Sequence, residues 1–583
     1  MNPTEKQLCW DCKSSKNRNA CVFWSTHSFA FNSAQRILFF VLLTVSCELA
    51  AEGKGGSNQQ AAVEKTAEEK PADKEVLHLR EHFGEQNFFP KGGFILRQGQ
   101  PLPDLVWEHP DLVGKVLKDI AIPTRWFDAD FNEVKVARTP GRYYVYGEAP
   151  APHGPVLRRA MTAFCVDKET DLTALAEKQI SIAEPDPKKK RALIEKIVTA
   201  WQTTEEGVVE FAALMETGFD RRPVRPGQWQ MENATRHVQL KRKLMGLDGV
   251  PPVVVAPRSI KTNPAPVLRA GSLDETRFTP DQLKALEDKF DRWYAEAQQP
   301  TAVVIAQRGV VVFSKGYGAL EEQPVTINTP MLLHSAMKPI LGVLLATYLD
   351  RGFVKLNEPV GKYLVDFKSE EDRGLTFRAG FVHTTGIHFP WPLAFSRLFY
   401  FHTWHESLIA HCKRDWAPGA KHQYGVVGMI LSVRALELLR GLNYWDAMER
   451  DLFTPMGIRN MLPGGTGFSA EDLARIGVLL ANHGKYGDWE FFSEETYKSI
   501  LPAPLKPHFP QVNLTFGIGL QSYAGSFGPG SYGHGGGCGT QLIVNPEKHL
   551  VFAMVRNAPG EAYEKHLNEV LAFLNAWNSE PAK

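Results

Sequence analysis

The chain has 583 residues, and its 66 Lys and Arg against 65 Asp and Glu leave a formal net charge of +1. That balance offers no attraction to a polyanion and argues against a nucleic-acid partner. A hydrophobic content of 43% is enough for packed cores, the length predicts two or three domains, and no apolar run reaches transmembrane length.

Residues 1–51 read as a leader. Ile37 to Val45 is an apolar core, preceded by Arg36 and followed by small residues at Ala50 and Ala51, the pattern of a signal peptide with an unusually long leader. The expectation is a secreted or periplasmic protein, with cell-envelope association open. Cys47, after Thr44-Val45-Ser46, fits a lipid-attachment site poorly, so lipid anchoring is disfavoured. Cys9 and Cys12 lack a second pair at zinc-finger spacing. Residues 52–75 are mostly Glu, Lys, Ala, Gly and Gln and predict a disordered tether.

Residues 76–260 form a separate α+β region of unassigned role. Tyr143-Tyr144-Val145-Tyr146 predicts a strand, and Lys188 to Trp201 a helix whose Lys188–Arg191 run is a solvated end. A proline-rich stretch opens at Pro251-Pro252 and passes Pro266; within it and beyond, residues 261–276 connect to a domain spanning 277–578. That domain opens with a capping threonine, Thr279, then Pro280 at the first helical position and Gln282 closing a capping box. Leu283, Leu286, Phe290, Trp293 and Ala297 follow as a helical stripe. Thr301–Ala306 and Val310–Ser314 flank Gln307-Arg308-Gly309 as a hairpin, and Thr540 to Val555 predicts a second one turning at Asn545-Pro546-Glu547-Lys548. The last helix carries Leu567, Val570, Leu571, Leu574 and Trp577 on one face.

Between the hairpins, Ser335-Ala336-Met337-Lys338 opens the apolar run Ile340 to Leu349. Positions i and i+3 of a helix share a face, so Lys338 is placed beside the Ser335 hydroxyl. The positive helix end stabilises an alkoxide there and disfavours an ammonium, which suits a serine nucleophile with a lysine base. Pro339 requires the helix to begin near Ser335. The bland alternative is an N-cap serine with a solvated lysine. His402, His405 and His411 lack a completing carboxylate or cysteine set, so no metal or cofactor is expected. Cys165, Cys412 and Cys538 are odd in number and argue against a disulfide framework.

Several further segments follow in order: Leu349 to Val360, Leu375-Thr376-Phe377-Arg378, His383-Thr384-Thr385-Gly386, Trp416-Ala417-Pro418-Gly419, Leu452 to Ile458 and Glu471 to Gly477. With Ser335 and Lys338, this set resembles the β-lactamase-related serine hydrolases, which include class C β-lactamases, D-amino-acid-specific peptidases and family VIII carboxylesterases. The resemblance spans about residues 277–578. It implies an α/β fold: an antiparallel sheet flanked by both terminal helices, plus a mostly helical region, in the β-lactamase/transpeptidase manner. Tyr424 falls at the tyrosine of the family's Tyr-x-Asn motif, and Val426 stands where the amide-binding asparagine would be. His534-Gly535-Gly536-Gly537 falls at the third motif. There His534 would keep the site positive or orient Tyr424, Gly535 replaces a hydroxyl residue that binds carboxylates, and the N–H groups of Gly537 and Ser335 would form an oxyanion hole.

The resemblance implies a serine hydrolase acting through an acyl-enzyme on Ser335, with esters or related small acyl substrates preferred because Val426 and Gly535 remove amide- and carboxylate-binding groups. The alternatives are a D-amino-acid-specific peptidase or β-lactamase acting on cell-wall-type peptides or β-lactams, and a catalytically inactive penicillin-binding-like sensor or binding protein. Trp391 and Phe395, in the aromatic segment His388 to Trp404, are candidates for an apolar cleft wall, against the alternative that they fill the core.

Overall fold

The computed structural model describes residues 88–109, 117–149, 156–180, 184–219, 227–388, 404–410, 412–462 and 466–578. The leader, Cys47, the tether, Trp391, Phe395, His402 and His411 lie outside them. Among the described residues no helix is long and apolar enough to cross a membrane.

The upstream region is built on a five-stranded sheet of β1 (Ile95–Arg97), β2 (Thr124–Phe127), β3 (Glu133–Val134), β4 (Gly141–Ala149) and β5 (Leu157–Val166), ordered β1-β5-β4-β2-β3. Four helices follow: α1 (Leu172–Ile180), α2 (Pro187–Thr203), α3 (Glu205–Thr217) and α4 (Gln228–Leu244). The predicted strand at Tyr143–Tyr146 is the middle of β4, and the helix predicted from Lys188 is α2, started by Asp186, which accepts from Lys188 and Lys189 N–H, and by Pro187. Trp201, Phe211, Phe164, Val145 and Met161 fill a core of this region's own.

The connecting segment does not hang free. Val253 N–H donates to Leu439 O, Ala265 N–H to Gly487 O and Arg269 N–H to Gly309 O, and Arg258–Ser259 pairs with Trp489–Glu490 as an added strand. Prolines suit such a strap, because it needs only some of its N–H groups to pair.

In the second half, α5 (Pro280–Ala297) starts at Thr279, whose side chain accepts from Gln282 N–H while Gln282 accepts from Thr279 N–H. Its stripe of Leu286, Phe290, Trp293 and Ala297 is buried. The hairpin strands β6 (Thr301–Gln307) and β7 (Val310–Tyr317) turn at Arg308 and Gly309, with φ of 52° and 80°. Two consecutive left-handed residues make the tight hairpin turn whose twist matches the strands. The sheet continues with β8 (Gln521–Ser522), β9 (Tyr532–Gly535), β10 (Gln541–Asn545) and β11 (Leu550–Arg556), in the order β7-β6-β11-β10-β9-β8 and antiparallel throughout.

The two terminal hairpins therefore meet at the β6–β11 pair, with Thr301 opposite Arg556. Strand alternation sorts the side chains. Val303, Ile305, Ile543, Phe552 and Met554 face α5 and the last helix, α11 (Tyr563–Asn578), whose Leu567, Val570, Leu571 and Leu574 complete that layer. Ala302, Val304, Leu542, Val544, Val551 and Ala553 face the helical region. Both faces of β6 are covered, which is why it is a continuous apolar run. The expected sheet with both terminal helices on one face is what the chain forms. Each large side chain of the α5 stripe contributes about 1.5–3 kcal/mol by leaving water.

The helical region holds α6 (Lys338–Asp350), α7 (Phe377–Phe381), α8 (His405–Ala410), α9 (Val427–Arg440) and α10 (Ala470–Ala481). From Lys338 to Tyr348 nearly every residue of α6 is buried. Gly342 sits so close to the chain that a Cβ there would come within 2.3 Å of Ile518 O. The helix bearing the motif is thus held rigidly inside the domain.

Candidate active site

Ser335 lies in a 3-10 turn, His334–Met337, that runs directly into α6 at Lys338. The expected α-helical spacing is therefore realised by a tighter device: in a 3-10 turn residues i and i+3 eclipse each other. Lys338 Nζ donates to Ser335 Oγ at 2.8 Å. Pro339 occupies the first turn of α6, where its missing N–H leaves no bond unmade.

Tyr424 comes to the same place from the loop before α9. Lys338 Nζ lies over its ring, 4.5 Å from the centroid. The Tyr424 hydroxyl is 3.5 Å from His534 Nε2, at the limit of a hydrogen bond, and the other His534 ring nitrogen lies 2.7 Å from Gly535 O. His534 is buried, and that burial, with Lys338 beside it, pushes its pKa down to about 3. It is therefore neutral at physiological pH. Of the two roles expected of it, orientation of Tyr424 is the one that this burial and geometry support.

The third-motif loop is clamped to the backbone just before the nucleophile. Thr540 Oγ1 and Cys538 Sγ both donate to Leu332 O, at 2.7 and 3.2 Å. Gly536 N–H donates to Thr540 O and Gly539 N–H to Gly536 O, which closes a tight loop carrying Gly537. A Cβ on Gly536 would lie 2.1 Å from Leu333 O, so only glycine permits this approach. The loop and the Leu333-His334-Ser335 segment thus touch directly. Cys538 is a buried packing thiol here, as are Cys165 and Cys412.

Strand alternation puts His534 on the face toward the helical region and Gly535 on the other. A Cβ at Gly535 would meet the Gln541 carboxamide at 2.6 Å. Gln541 is fixed there, donating to the Tyr563 hydroxyl at 2.8 Å and accepting from Tyr523 at 3.2 Å, and Tyr563 donates on to Gly539 O at 3.0 Å. The hydroxyl side chain expected of relatives at this position has its space taken by a cross-strand neighbour. Val426, in the place of the amide-binding asparagine, is half-buried against the core.

Two further aromatic groups border this site, and the sequence assigned neither a role in it. His383 packs on it with ring centroids 4.6 Å apart, has a left-handed φ of 59°, and accepts from Gln423 N–H through its carbonyl. Burial first, and Lys338 second, hold it well below the usual histidine pKa. Phe516 closes against both His383 and His534, at 5.2 and 6.5 Å. The His383-Thr384-Thr385-Gly386 segment was visible as a motif, but its contact with Tyr424 depends on a residue 41 positions further on, 424 minus 383. Among the described residues no group of three or more His, Cys, Asp or Glu is placed to hold a metal ion.

Residues 286–576 match the family model described as Beta-lactamase. A putative D-alanyl-D-alanine carboxypeptidase of Escherichia coli (strain K12) is 22% identical over 392 residues, covering 52% of this chain and 88% of that protein. A teichoic acid D-alanine hydrolase of Staphylococcus aureus is 23% identical over 199 residues, covering 32% and 48%. A solved family VIII carboxylesterase aligns at 16% identity and a TM-score of 0.41, covering 50% of this chain and 97% of that one. The region built around Ser335, residues 286–576, thereby belongs to the beta-lactamase family of serine hydrolases.

Proposed function

We propose that this protein is an acyl-enzyme hydrolase of esters or related small acyl compounds, with Ser335 as nucleophile. The observation that carries the reading is the 2.8 Å contact between Lys338 Nζ and Ser335 Oγ with Tyr424 beside the same amine. Neutral Lys338 takes the proton as Ser335 Oγ bonds to the carbonyl carbon. The oxyanion is held by the N–H groups of Ser335 and Gly537, and collapse expels the alcohol, which leaves with a proton returned through Lys338 and Tyr424. Water, deprotonated by Tyr424, then attacks the acyl carbon and releases the acid and Ser335. Once it holds the serine proton, Lys338 is a cation beside Tyr424, which favours the ionised form of the phenol over a site with no charge at all.

Preference for esters over β-lactams rests on Val426, which cannot hydrogen-bond an amide, and on Gly535, where Gln541 excludes a hydroxyl side chain. A D-alanine-releasing peptidase is the second reading, supported by the name of the E. coli relative and by the 88% of its length that aligns. Secretion, read from the apolar run at Ile37–Val45, would place either activity outside the cytoplasm.

The test is a stopped-flow assay of wild type and Ser335→Ala with a chromogenic short-chain ester, with the adduct followed by mass spectrometry. A Ser335-dependent burst and steady turnover are expected. A stable adduct without turnover would replace hydrolysis with a sensor role, and turnover of D-alanyl-D-alanine peptides alone would replace the ester reading.

A further inference from the structure

We infer that the upstream region, residues 88–247, is an intramolecular scaffold whose binding partner is the helical region of the same chain, holding α8 and α9 and thereby positioning Tyr424. Among its described residues no group of three or more His, Cys, Asp or Glu is placed to hold a metal ion. What it does present is a polar and aromatic face buried against the two helices that flank the Tyr424 loop.

The contact is specific along the length of α4. At its start, Asn443 Nδ2 donates to Met231 O and to Thr235 Oγ1, both at 2.7 Å, and Thr235 donates to Asp446. Met231 itself sits in the hydrophobic core of the catalytic domain. At its end, Arg242 donates to Leu438 O in the last turn of α9. Between them, Lys241 pairs with Glu406 of α8, both buried, and lies over the Trp404 ring at 4.6 Å. From the sheet, Arg158 pairs with Asp366, its N–H donates to Ser407 Oγ at 2.8 Å, and Tyr146 packs on Trp404 at 5.3 Å. Trp404, Tyr144, Tyr146, Ala160 and Leu240 form one apolar cluster across the junction.

Glu406, Asp366 and Ser407 belong to the catalytic half, and one carboxylate oxygen of each acid and the Ser407 hydroxyl are paired by upstream residues. A buried carboxylate without its cation is strongly unfavourable, so these residues make sense only with the upstream region in place. The mechanical route to the site is short. Val427, the first residue of α9, follows Tyr424-Gly425-Val426 directly. At that end Gly428 touches Gly380 of α7, where a Cβ would come within 2.3 Å, so α9 is a stiff rod gripped at both ends. Displacing its C-terminal half tilts the loop that carries Tyr424.

The activity arm of the test rests on the hydrolase reading; the exchange arm does not. In the full chain, Lys241→Met, Lys241→Met/Glu406→Leu and the isosteric Thr235→Val are compared with wild type, well below each melting temperature. Hydrogen exchange should show lost protection in Lys241→Met at 404–410 and 424–431. Loss confined to 228–244 overturns the inference. With the chromogenic ester, kcat should fall about tenfold in Lys241→Met and a few-fold in Thr235→Val with KM nearly unchanged, and the double variant should recover most of the loss. Unchanged kcat alongside a lowered melting temperature overturns it, because the region would then only stabilise. If wild type turns over no ester, the proposed function fails while the exchange result still decides the scaffold.

Discussion

Gly536→Ala tests the geometry of the site with one methyl group. The added Cβ would lie 2.1 Å from Leu333 O and 3.3 Å from Cys538 Sγ. Ordinary contact to a carbonyl oxygen needs about 3.2 Å, so the loop and the Leu333-His334-Ser335 segment must part by about 1 Å. The loop cannot absorb this by bending, because Gly536 N–H to Thr540 O and Gly539 N–H to Gly536 O hold it as a unit. Gly537 therefore moves away from Ser335 with it. A misplacement of about 1 Å costs about 10²-fold in rate, and losing one oxyanion donor costs about 10²–10³-fold, or roughly 2.7–4 kcal/mol. The expectation is a kcat about 100-fold lower with KM nearly unchanged, and a stability loss of about 1–3 kcal/mol from overpacking. Gly525→Ala, where nothing lies within 4 Å of the new methyl, is the control. Ester hydrolysis and denaturant unfolding of both variants decide the matter. A kcat for Gly536→Ala within about threefold of wild type would refute the claim that this contact sets the oxyanion geometry.

Three other outcomes are expected. Lys338→Met should abolish the burst while leaving the fold intact by circular dichroism, since it removes the amine that donates to Ser335 Oγ; a normal burst would remove the lysine from the mechanism. His534 is held neutral, with its pKa pushed down to about 3 by burial and Lys338. Its contribution to stability is complete above the ordinary histidine pKa of about 6.5 and is lost as pH falls from there toward about 3, with a slope of at most about 1.4 kcal/mol per pH unit. Unfolding curves from pH 7 to pH 4 should therefore be flatter in His534→Asn, and an unchanged slope would show that the histidine is charged in the fold. Gly535→Thr should lose about 1–3 kcal/mol through its clash with Gln541, and Gln541→Ala in the same chain should recover part of it. Thermal melts of the single and double variants read this directly, and an undiminished melting temperature for Gly535→Thr alone would contradict it.

Local chemistry was legible in the sequence because local rules decide it. Thr279-Pro280-x-Gln282 is a capping box wherever it falls, Arg308-Gly309 between β-branched runs is a hairpin, and Ser335-x-x-Lys338 before an apolar run places an amine by a hydroxyl whether the turn is 3-10 or α. The ordered motifs carried the family, and with it the meeting of Ser335, Lys338, Tyr424 and the loop of Gly537. Other features needed the assembled fold. That His534 is neutral follows from burial and a nearby lysine, neither readable from a glycine-rich segment. That Gly535 lacks a hydroxyl was visible, but that Gln541 fills its place depends on the register of β9 against β10. His383 meets Tyr424 only because a loop returns to it. The upstream region carried no recognisable motif, and its pairing with the catalytic helices rests on single residues, Lys241, Arg158 and Thr235, scattered through ordinary elements. Sequence determines what each segment can do by its own period, caps and turns. Which distant segments share a buried surface, and so which charges are paired or suppressed, is decided by packing alone.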